Sequence, residues 1–371
     1  MLVISISATA GPSGRCCWRS RQLRASEAHI QVIDTTGQHV YQPGLLYLPF
    51  NQQDPHGIVR PTRRLLHKRI ELLEGTVESI DVAARSVAVS GDSFAYDWLV
   101  LATGAQLEPE RVPGLDGAHH FYDMEHALGL RETLRNFKGG RIVVGPARKT
   151  YKCPSAPLEF VLLLNDHLRR QGLRERTELY YFSPHPAIFG GERLARIMQP
   201  LFEARGILTA LNFNLEEIDN STLHAHGGAS LEFDLAVVVP PHGVGQAISE
   251  AGLGDDGWVS ADPYTLEVTA QEQIFALGDV TDLDVPKTGA VAHYQAQAVV
   301  DGLVAGIRGA GRVRPYNGRV MCLVETGEGR ATIMSFDYDK EGRTSPPNRY
   351  YHWAKAVVNR LYWITIPTGR V

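Results

Sequence analysis

The residues best suited to chemistry lie in a short loop around Cys153. This cysteine follows Lys149 and Lys152 and stands just before a helical pattern that begins near Leu158. Positive charge and a helix N-terminus both lower the pKa of a thiol, so the position favours a reactive thiolate, with a partly buried, inert cysteine as the alternative. Four scattered cysteines predict neither a disulfide framework nor a zinc site, so any cysteine chemistry belongs to one or two special thiols. The other three are Cys16, Cys17 and Cys322.

Three turns that follow apolar segments are suited to binding a nucleotide or a polyol. Asp34 ends the segment His29–Asp34, where a carboxylate can hydrogen-bond ribose hydroxyls. The turn Ala102–Gly104 lets a ligand approach the backbone because its glycine has no Cβ. Asp279 follows the segment Ile274–Leu277 and can bind a polyol hydroxyl, while the next helix N-terminus can face a phosphate. Each turn alone is weak evidence, since most such matches are ordinary turns.

Strands that alternate with helices are predicted to position these turns. A helical pattern covers Leu158–Arg170, and Glu71–Ala88 alternates as a hairpin or meander does. Short apolar segments bounded by turn residues are typical of buried strands and favour an α/β fold with mostly parallel sheets. These segments are His29–Asp34, Tyr96–Ala102, Gly140–Gly145, Glu178–Phe182, Leu235–Val239 and Ile274–Leu277.

The composition predicts a soluble globular chain of about two domains. Of its 371 residues 44% are hydrophobic, and 37 Lys and Arg nearly balance 41 Asp and Glu. A formal charge of −4 gives no global reason to expect a nucleic-acid partner. No apolar run approaches the roughly 18–20 residues of a membrane span, and no export signal is recognisable. We therefore expect at most peripheral membrane contact, on the cytoplasmic side.

The order and spacing of the three turns resemble those of flavoproteins with two dinucleotide-binding, Rossmann-like domains. In these proteins the second domain interrupts the FAD domain. The resemblance therefore implies an FAD domain of residues 1–106 and 235–310 and a second domain of residues 107–234. Residues 311–371 would form a C-terminal region that ends in an amphipathic helical tail. Asp279 would bind the ribitol of FAD and Asp34 the adenosine ribose. The resemblance suggests these cofactor contacts: Asp34, Pro43, Gly44, Val77, Ala102, Thr103, Gly104, Gly278, Asp279 and Lys287.

Both expected nucleotide-binding loops depart from the GxGxxG pattern of such proteins. The first should lie within the first ~30 residues, but Ser7–Arg24 has Pro12 and a Cys-Cys-Trp-Arg run there. Such a segment is typical of a shifted reading frame. Our hypothesis is that this altered N-terminal segment weakens FAD binding. After the strand Gly140–Gly145 the second loop has Arg148 and Lys149, which should exclude the pyrophosphate of NADH.

The Cys153 loop carries a more specific resemblance. Its sequence KCPSAP, followed by an apolar helix, is similar to the KCxGAP segment of sulfide:quinone oxidoreductases and the flavocytochrome c sulfide dehydrogenase flavoprotein, where the cysteine is redox-active. That family has a second cysteine far downstream, and Cys322 occupies a similar setting. His39–Phe50 resembles the segment that lines the flavin, and Pro286–Gly289 resembles the KTG turn beside the isoalloxazine.

The resemblance implies an enzyme in which Cys153 and Cys322 form a redox pair above FAD. Sulfide would attack the pair, leaving a persulfide on one sulfur and a thiolate on the other, and electrons would pass through FAD to a membrane quinone. Lys287 would stabilise negative charge on the reduced flavin, or be a solvated loop lysine. Glu159 would accept a proton or cap its helix. No third cysteine lies between Gly104 and Arg148, where several such enzymes have one. No cysteine near Tyr41 could attach the flavin, so FAD would be noncovalent.

The segment Arg349–Trp363 predicts a short amphipathic helix. Tyr350, Trp353 and Leu361 lie on one stripe with basic residues outside it, as in helices that dock at a membrane surface. We take these three residues and Trp363 as candidate membrane or quinone contacts. A helix packed on the core or on a second copy of the chain is the alternative.

Three functions remain open from the sequence. The first is an FAD enzyme like the sulfide:quinone oxidoreductases, which would act on sulfide or another small sulfur nucleophile and on a quinone, as a monomer or a homo-oligomer. The second is an NADH:quinone or CoA-disulfide-type flavin reductase. The third is a remnant of the fold that has lost its cofactor through the altered start.

Overall fold

The computed structural model describes residues 2–6, 28–255, 257–309, 311–340 and 342–365. These residues form two units, each built on a parallel sheet, and a C-terminal unit of antiparallel strands and a helix. The predicted α/β class is confirmed. The altered loop Ser7–Arg24, with Cys16 and Cys17, lies outside the described residues.

The first sheet has five parallel strands. Because side chains alternate along a strand, Leu99 and Leu101 pack under a small meander, whereas Trp98 and Val100 pack against the helix Gly289–Arg308. The carboxyl ends of the strands share one edge, where the three predicted turns come together. The strand order is Ile274–Ala276, Trp98–Leu101, Leu2–Ile6, His29–Asp34 and Ile70–Glu74, and the meander consists of Val77–Asp81, Ser86–Val89 and Asp92–Ala95.

The second sheet has four parallel strands covered on both faces. Ile142 and Val144 pack with the helices, and Val143 between them packs with a small antiparallel sheet. The strand order is Ile207–Leu211, Thr177–Ser183, Gly140–Pro146 and Leu235–Val239, the helices are Met124–Asn136, Ala156–Arg170 and Glu192–Ala204, and the small sheet consists of Leu215–Asp219, Thr222–Ala225 and Ser230–Glu232.

The domain boundary expected at residue 235 needs correction. Leu235–Val239 pairs with Gly140–Pro146, so it belongs to the second sheet and not to the first. The chain passes between the two units at Gln106–Leu107 and His242–Gly243, which pair with each other. A run of five buried apolar residues suits any parallel strand, so the pattern did not say which sheet it joins.

The C-terminal unit consists of the strands Val320–Gly327, Arg330–Phe336 and Arg343–Thr344 and the helix Arg349–Thr365, called the tail helix below. Among the described helices, none is both long and apolar enough to cross a bilayer. The short elements are the strand pairs Gln38–Val40 with Val59–Pro61 and Gly254–Asp255 with Trp258–Val259, the helices Thr62–Leu65 and Gln246–Glu250, and 3₁₀ helices at Gln42–Phe50, Pro55–Ile58, Pro109–Arg111, Leu115–Gly117, Arg174–Arg176 and Gly278–Val280.

Candidate active site

Cys153 lies in an anchored loop before the helix Ala156–Arg170. Its backbone is left-handed, with φ +53°. Its N–H donates to the Lys287 carbonyl at 2.6 Å, and its own carbonyl accepts from the Ala156 N–H at 2.9 Å. A left-handed conformation is uncommon for a residue other than glycine and persists where its surroundings hold it. The loop therefore fixes Cys153 against the turn that contains Lys287.

Cys322 reaches the same turn from the strand Val320–Gly327. Its thiol lies close to Thr288, the residue after Lys287, which opposes the rise of the Cys322 pKa. The Thr288 hydroxyl also accepts from the Val291 N–H at 3.3 Å and so caps the helix Gly289–Arg308. Both cysteines are half-buried free thiols. The structure thus brings two cysteines that are distant in sequence to consecutive residues of one turn.

The expected lowering of the Cys153 pKa is wrong. Burial raises the pKa of Cys153 to about 12, and the charges of Glu159 and Cys322 add to the rise. Burial likewise raises the pKa of Cys322 to about 11. Lys149 is exposed to solvent, and the helix N-terminus does not outweigh desolvation of a charged sulfur. Both sulfurs are therefore protonated thiols at neutral pH in this arrangement.

The Lys287 ammonium joins this turn to the one that carries Asp279. Its Nζ donates to the Asp279 carbonyl at 3.1 Å and to the Thr281 carbonyl, and it lies 3.7 Å from the centre of the Trp258 ring. Burial lowers the pKa of Lys287 to about 8, although Asp279 opposes the shift. The role of Lys287 beside a reduced flavin stays a prediction.

The carboxyl edge of the first sheet has the polar groups and the open backbone that a dinucleotide needs. Oγ1 of Thr103 and Oδ1 of Asp279 are buried without a hydrogen-bond partner in the described part of the chain. Buried polar atoms are normally paired, so these two are suited to a ligand. Gly104 and Gly278 have φ of +71° and +78°, and a Cβ on Gly278 would lie 3.2 Å from the Ala292 Cβ. This edge therefore fits the polyol and the close backbone approach of bound FAD.

The other predicted FAD contacts have different surroundings. Asp34 is buried and already accepts from the Thr62 hydroxyl at 2.8 Å and the Thr36 N–H at 3.1 Å. A Cβ on Gly44 would lie 2.5 Å from Ile58 Cγ2, so packing alone explains that glycine. Contact with FAD stays a prediction for these two residues and for Pro43, which is exposed, and Val77 and Ala102, which are half-buried.

A cluster of buried charged groups lies beside the cysteines. Glu159 accepts from the Ser155 hydroxyl at 3.2 Å and from the Glu325 N–H at 2.8 Å, and it forms an ion pair with Lys355 of the tail helix. Glu325 is paired with His352 at 2.9 Å. Only Glu159 could be singled out from the sequence, as an acid within an apolar helix, because its partners lie far along the chain.

The cluster connects the tail helix electrostatically to the helix that follows Cys153. Burial raises the pKa of Glu159, although Lys355 opposes the shift. Burial alone would lower the pKa of Lys355, but Glu159, Tyr47 and Glu325 together raise it well above its usual value. Lys355 is therefore held as a buried cation by the acids around it.

The tail helix has the predicted exposed stripe, with one correction. Tyr350, Trp353 and Leu361 are 83%, 69% and 43% exposed. Trp363 instead faces the protein, where its Nε1 donates to the Gly57 carbonyl at 3.0 Å. Two residues advance an α-helix by about 200°, which places Trp363 on the side opposite Leu361.

Arg148 lies in the loop that would receive a second dinucleotide. Its guanidinium donates to the carbonyls of Ala147, Leu215 and Arg111 at 2.9, 2.7 and 3.1 Å. In dinucleotide-binding domains the backbone amides of this loop face a pyrophosphate. Exclusion of NADH by this loop stays a prediction.

Comparisons with known proteins agree with this architecture. The pattern of the pyridine nucleotide-disulphide oxidoreductase family matches residues 10–147. The mitochondrial sulfide:quinone oxidoreductase of Dictyostelium discoideum is 28% identical over 93% of this chain and 81% of that protein. The X-ray structure of the Aquifex aeolicus sulfide:quinone oxidoreductase superposes with a TM-score of 0.89 at 21% identity, over 99% of this chain and 92% of that one. An external alternative NAD(P)H-ubiquinone oxidoreductase of Arabidopsis thaliana is 22% identical over 72% of this chain and 52% of that protein. The chain is therefore similar in sequence and fold to sulfide:quinone oxidoreductases, and its residues 10–147 match the pattern of the pyridine nucleotide-disulphide oxidoreductase family.

Proposed function

We propose that this protein oxidises sulfide, or a related small sulfur nucleophile, at a Cys153–Cys322 pair and passes the electrons through FAD to a membrane quinone. The observation that carries the proposal is the placement of both cysteines on the Lys287–Thr288 turn, which Lys287 connects to Asp279. The names of the relatives point to sulfide and quinone as substrates.

The residues of the carboxyl edge would hold FAD without a covalent bond. Thr103 and Asp279 offer unpaired polar atoms, and Gly104 and Gly278 leave room for close approach. When bound, FAD supplies the acceptor for two electrons. The protein positions that acceptor beside the sulfur pair.

The cysteines supply the sulfur chemistry in their oxidised, disulfide state. Hydrosulfide attacks one sulfur of the disulfide, so that one S–S bond forms as another breaks. One cysteine becomes a persulfide and the other leaves as a thiolate that carries the electron pair. The Thr288 hydroxyl lies close to the Cys322 sulfur and can donate a hydrogen bond to it when it is the leaving thiolate.

The visible absorption spectrum, recorded before and after anaerobic addition of sulfide or NADH, tests the function. We expect the purified chain to be yellow, its colour to bleach with sulfide, and NADH to leave it unchanged because Arg148 and Lys149 replace the small residues of a dinucleotide-binding loop. Bleaching by NADH alone would support the reductase alternative. A colourless chain that takes up no added FAD would support the remnant alternative.

The exposed stripe of the tail helix predicts binding to a membrane surface. Changing Tyr350, Trp353 and Leu361 together to serine should weaken association with vesicles containing anionic lipid at least ~10-fold, because each buried large side chain contributes about 1.5–3 kcal/mol. Vesicle co-sedimentation measures the change. Tyr264→Ser, which alters an aromatic residue that is 50% exposed, is the matched control. Equal vesicle binding by the triple variant and the control would contradict the prediction.

A further inference from the structure

A buried lysine next to Cys153 forms no ion pair within the described part of the chain. Lys152 is only 7% exposed, and within the described ranges its ammonium has neither a hydrogen bond nor an ion pair. The centre of the Tyr122 ring is 5.9 Å from Nζ. Burial lowers the pKa of Lys152, although Asp279 and Asp123, which lie beyond ion-pair distance, oppose the shift. A buried ammonium is costly without a paired anion, so this position is suited to an anionic ligand.

A second buried group with an unused atom, His242, also lies against the Tyr122 ring. His242 is 4% exposed, and its ring centre is 5.5 Å from that of Tyr122. Its Nδ1 lies 2.8 Å from the Pro240 carbonyl, which can only accept, so Nδ1 carries the proton. Nε2 is therefore a bare acceptor, and it is buried without a partner in the part of the chain that the structure describes.

Burial, together with neighbouring positive charge, keeps the His242 ring neutral. Burial lowers the pKa of His242 to about 3, and the neighbouring Lys152, His120 and Lys287 contribute to the lowering. Burial also lowers the pKa of His120 to about 4. The site therefore presents one cation, which donates, and one neutral imidazole, which accepts.

We propose that Lys152 and His242 form the binding site through which the sulfur nucleophile enters as a monoanion, hydrosulfide. This inference rests on the proposed function and specifies its substrate form. Hydrosulfide has one negative charge, which compensates Lys152, and one S–H, which can donate to His242 Nε2. Neutral H₂S would leave the lysine uncompensated, and an anion without a proton would leave Nε2 unpaired. The site lies near the sulfur to be attacked, because the side chains of Lys152 and Cys153 interact electrostatically.

Binding can be separated from chemistry in the full-length, FAD-loaded Cys153→Ser variant. Sodium hydrosulfide is added anaerobically, and the ¹³C-labelled histidine side chains are followed by NMR, with the His242 signal identified by its loss in His242→Gln. We expect a saturable shift of the His242 signal. Adding Lys152→Met should raise the dissociation constant at least ~10-fold, since hydrogen bonds to a charged group are among the stronger ones. Lys149→Met removes a neighbouring but exposed lysine and should change it less than ~2-fold.

The imidazole acceptor is tested by two substitutions of His242. Glutamine retains an acceptor and should keep hydrosulfide binding within a few-fold, whereas leucine should weaken it by about 10-fold, as for loss of a buried hydrogen bond. Equal dissociation constants in the Lys152→Met and Lys149→Met variants would overturn the proposal. So would weaker FAD retention in Lys152→Met with unchanged hydrosulfide binding, which would place the ammonium against the cofactor.

The rate at which sulfide bleaches the flavin, measured with both cysteines intact, gives a second readout. Lys152→Met should raise the sulfide concentration for half-maximal bleaching while leaving the limiting rate within a few-fold. If the original chain bleaches with sulfide but Lys152→Met has the same half-saturating concentration, this inference fails and the proposed function stands. If FAD-loaded original chain does not bleach at any sulfide concentration, the proposed function itself fails.

Discussion

Replacing Cys153 by serine is expected to slow the bleaching of bound flavin by sulfide at least ~1,000-fold, because loss of a nucleophilic residue typically costs that much or more. A serine oxygen cannot form the disulfide that hydrosulfide attacks. It is also smaller than the sulfur and fits the same half-buried position, so the anchored loop should remain. Anaerobic stopped-flow absorption of the oxidised flavin band measures the rate.

Two controls separate lost chemistry from lost structure. The Cys153→Ser variant should retain the same ratio of FAD to protein, and dithionite should bleach it at the original rate. Cys322→Ser should show a comparable loss with sulfide, since a pair needs both sulfurs. Normal bleaching of either serine variant by sulfide would remove the proposed sulfur pair.

The parallel strands could be predicted from the sequence because burial on both faces produces short, continuous apolar segments. His29–Asp34 and Leu235–Val239 have the predicted bounds. Assignment of a strand to a sheet depends on long-range pairing, which the local pattern does not encode. Leu235–Val239 was therefore placed in the wrong sheet, although its strand was predicted correctly.

Sequence motifs identified part of the candidate site, but they could not predict the properties that depend on burial. The loop motif singled out Cys153, but the pKa of its thiol depends on desolvation by residues from several segments, which the sequence does not show. Glu325, Lys355 and His242 were missed for the same reason: each is an ordinary polar residue until the fold buries it. Only the folded structure shows that Glu325 and Lys355 contact Glu159 and that His242 interacts with Lys152.

Lys355→Met is expected to lower the free energy of unfolding by about 3–5 kcal/mol, the usual cost of removing one partner from a buried ion pair. The variant leaves Glu159 and Glu325 buried without the cation that compensates them. Methionine fills a similar volume, so the loss reflects charge more than packing. The urea midpoint, followed by circular dichroism at neutral pH, measures the change.

Arg360→Met is the matched control, since it removes a cation from the same helix at an exposed position and should change stability by less than ~0.5 kcal/mol. Adding Glu159→Gln to Lys355→Met should restore part of the loss. The neutral amide oxygen can still accept from the Glu325 N–H, while no uncompensated charge remains at residue 159. If Lys355→Met is no less stable than Arg360→Met, the ion pair does not hold the tail helix to the helix that follows Cys153. In that case packing of Tyr362 and Trp363 against Tyr41 would be the main attachment, and Tyr362→Ala would cost more than Lys355→Met.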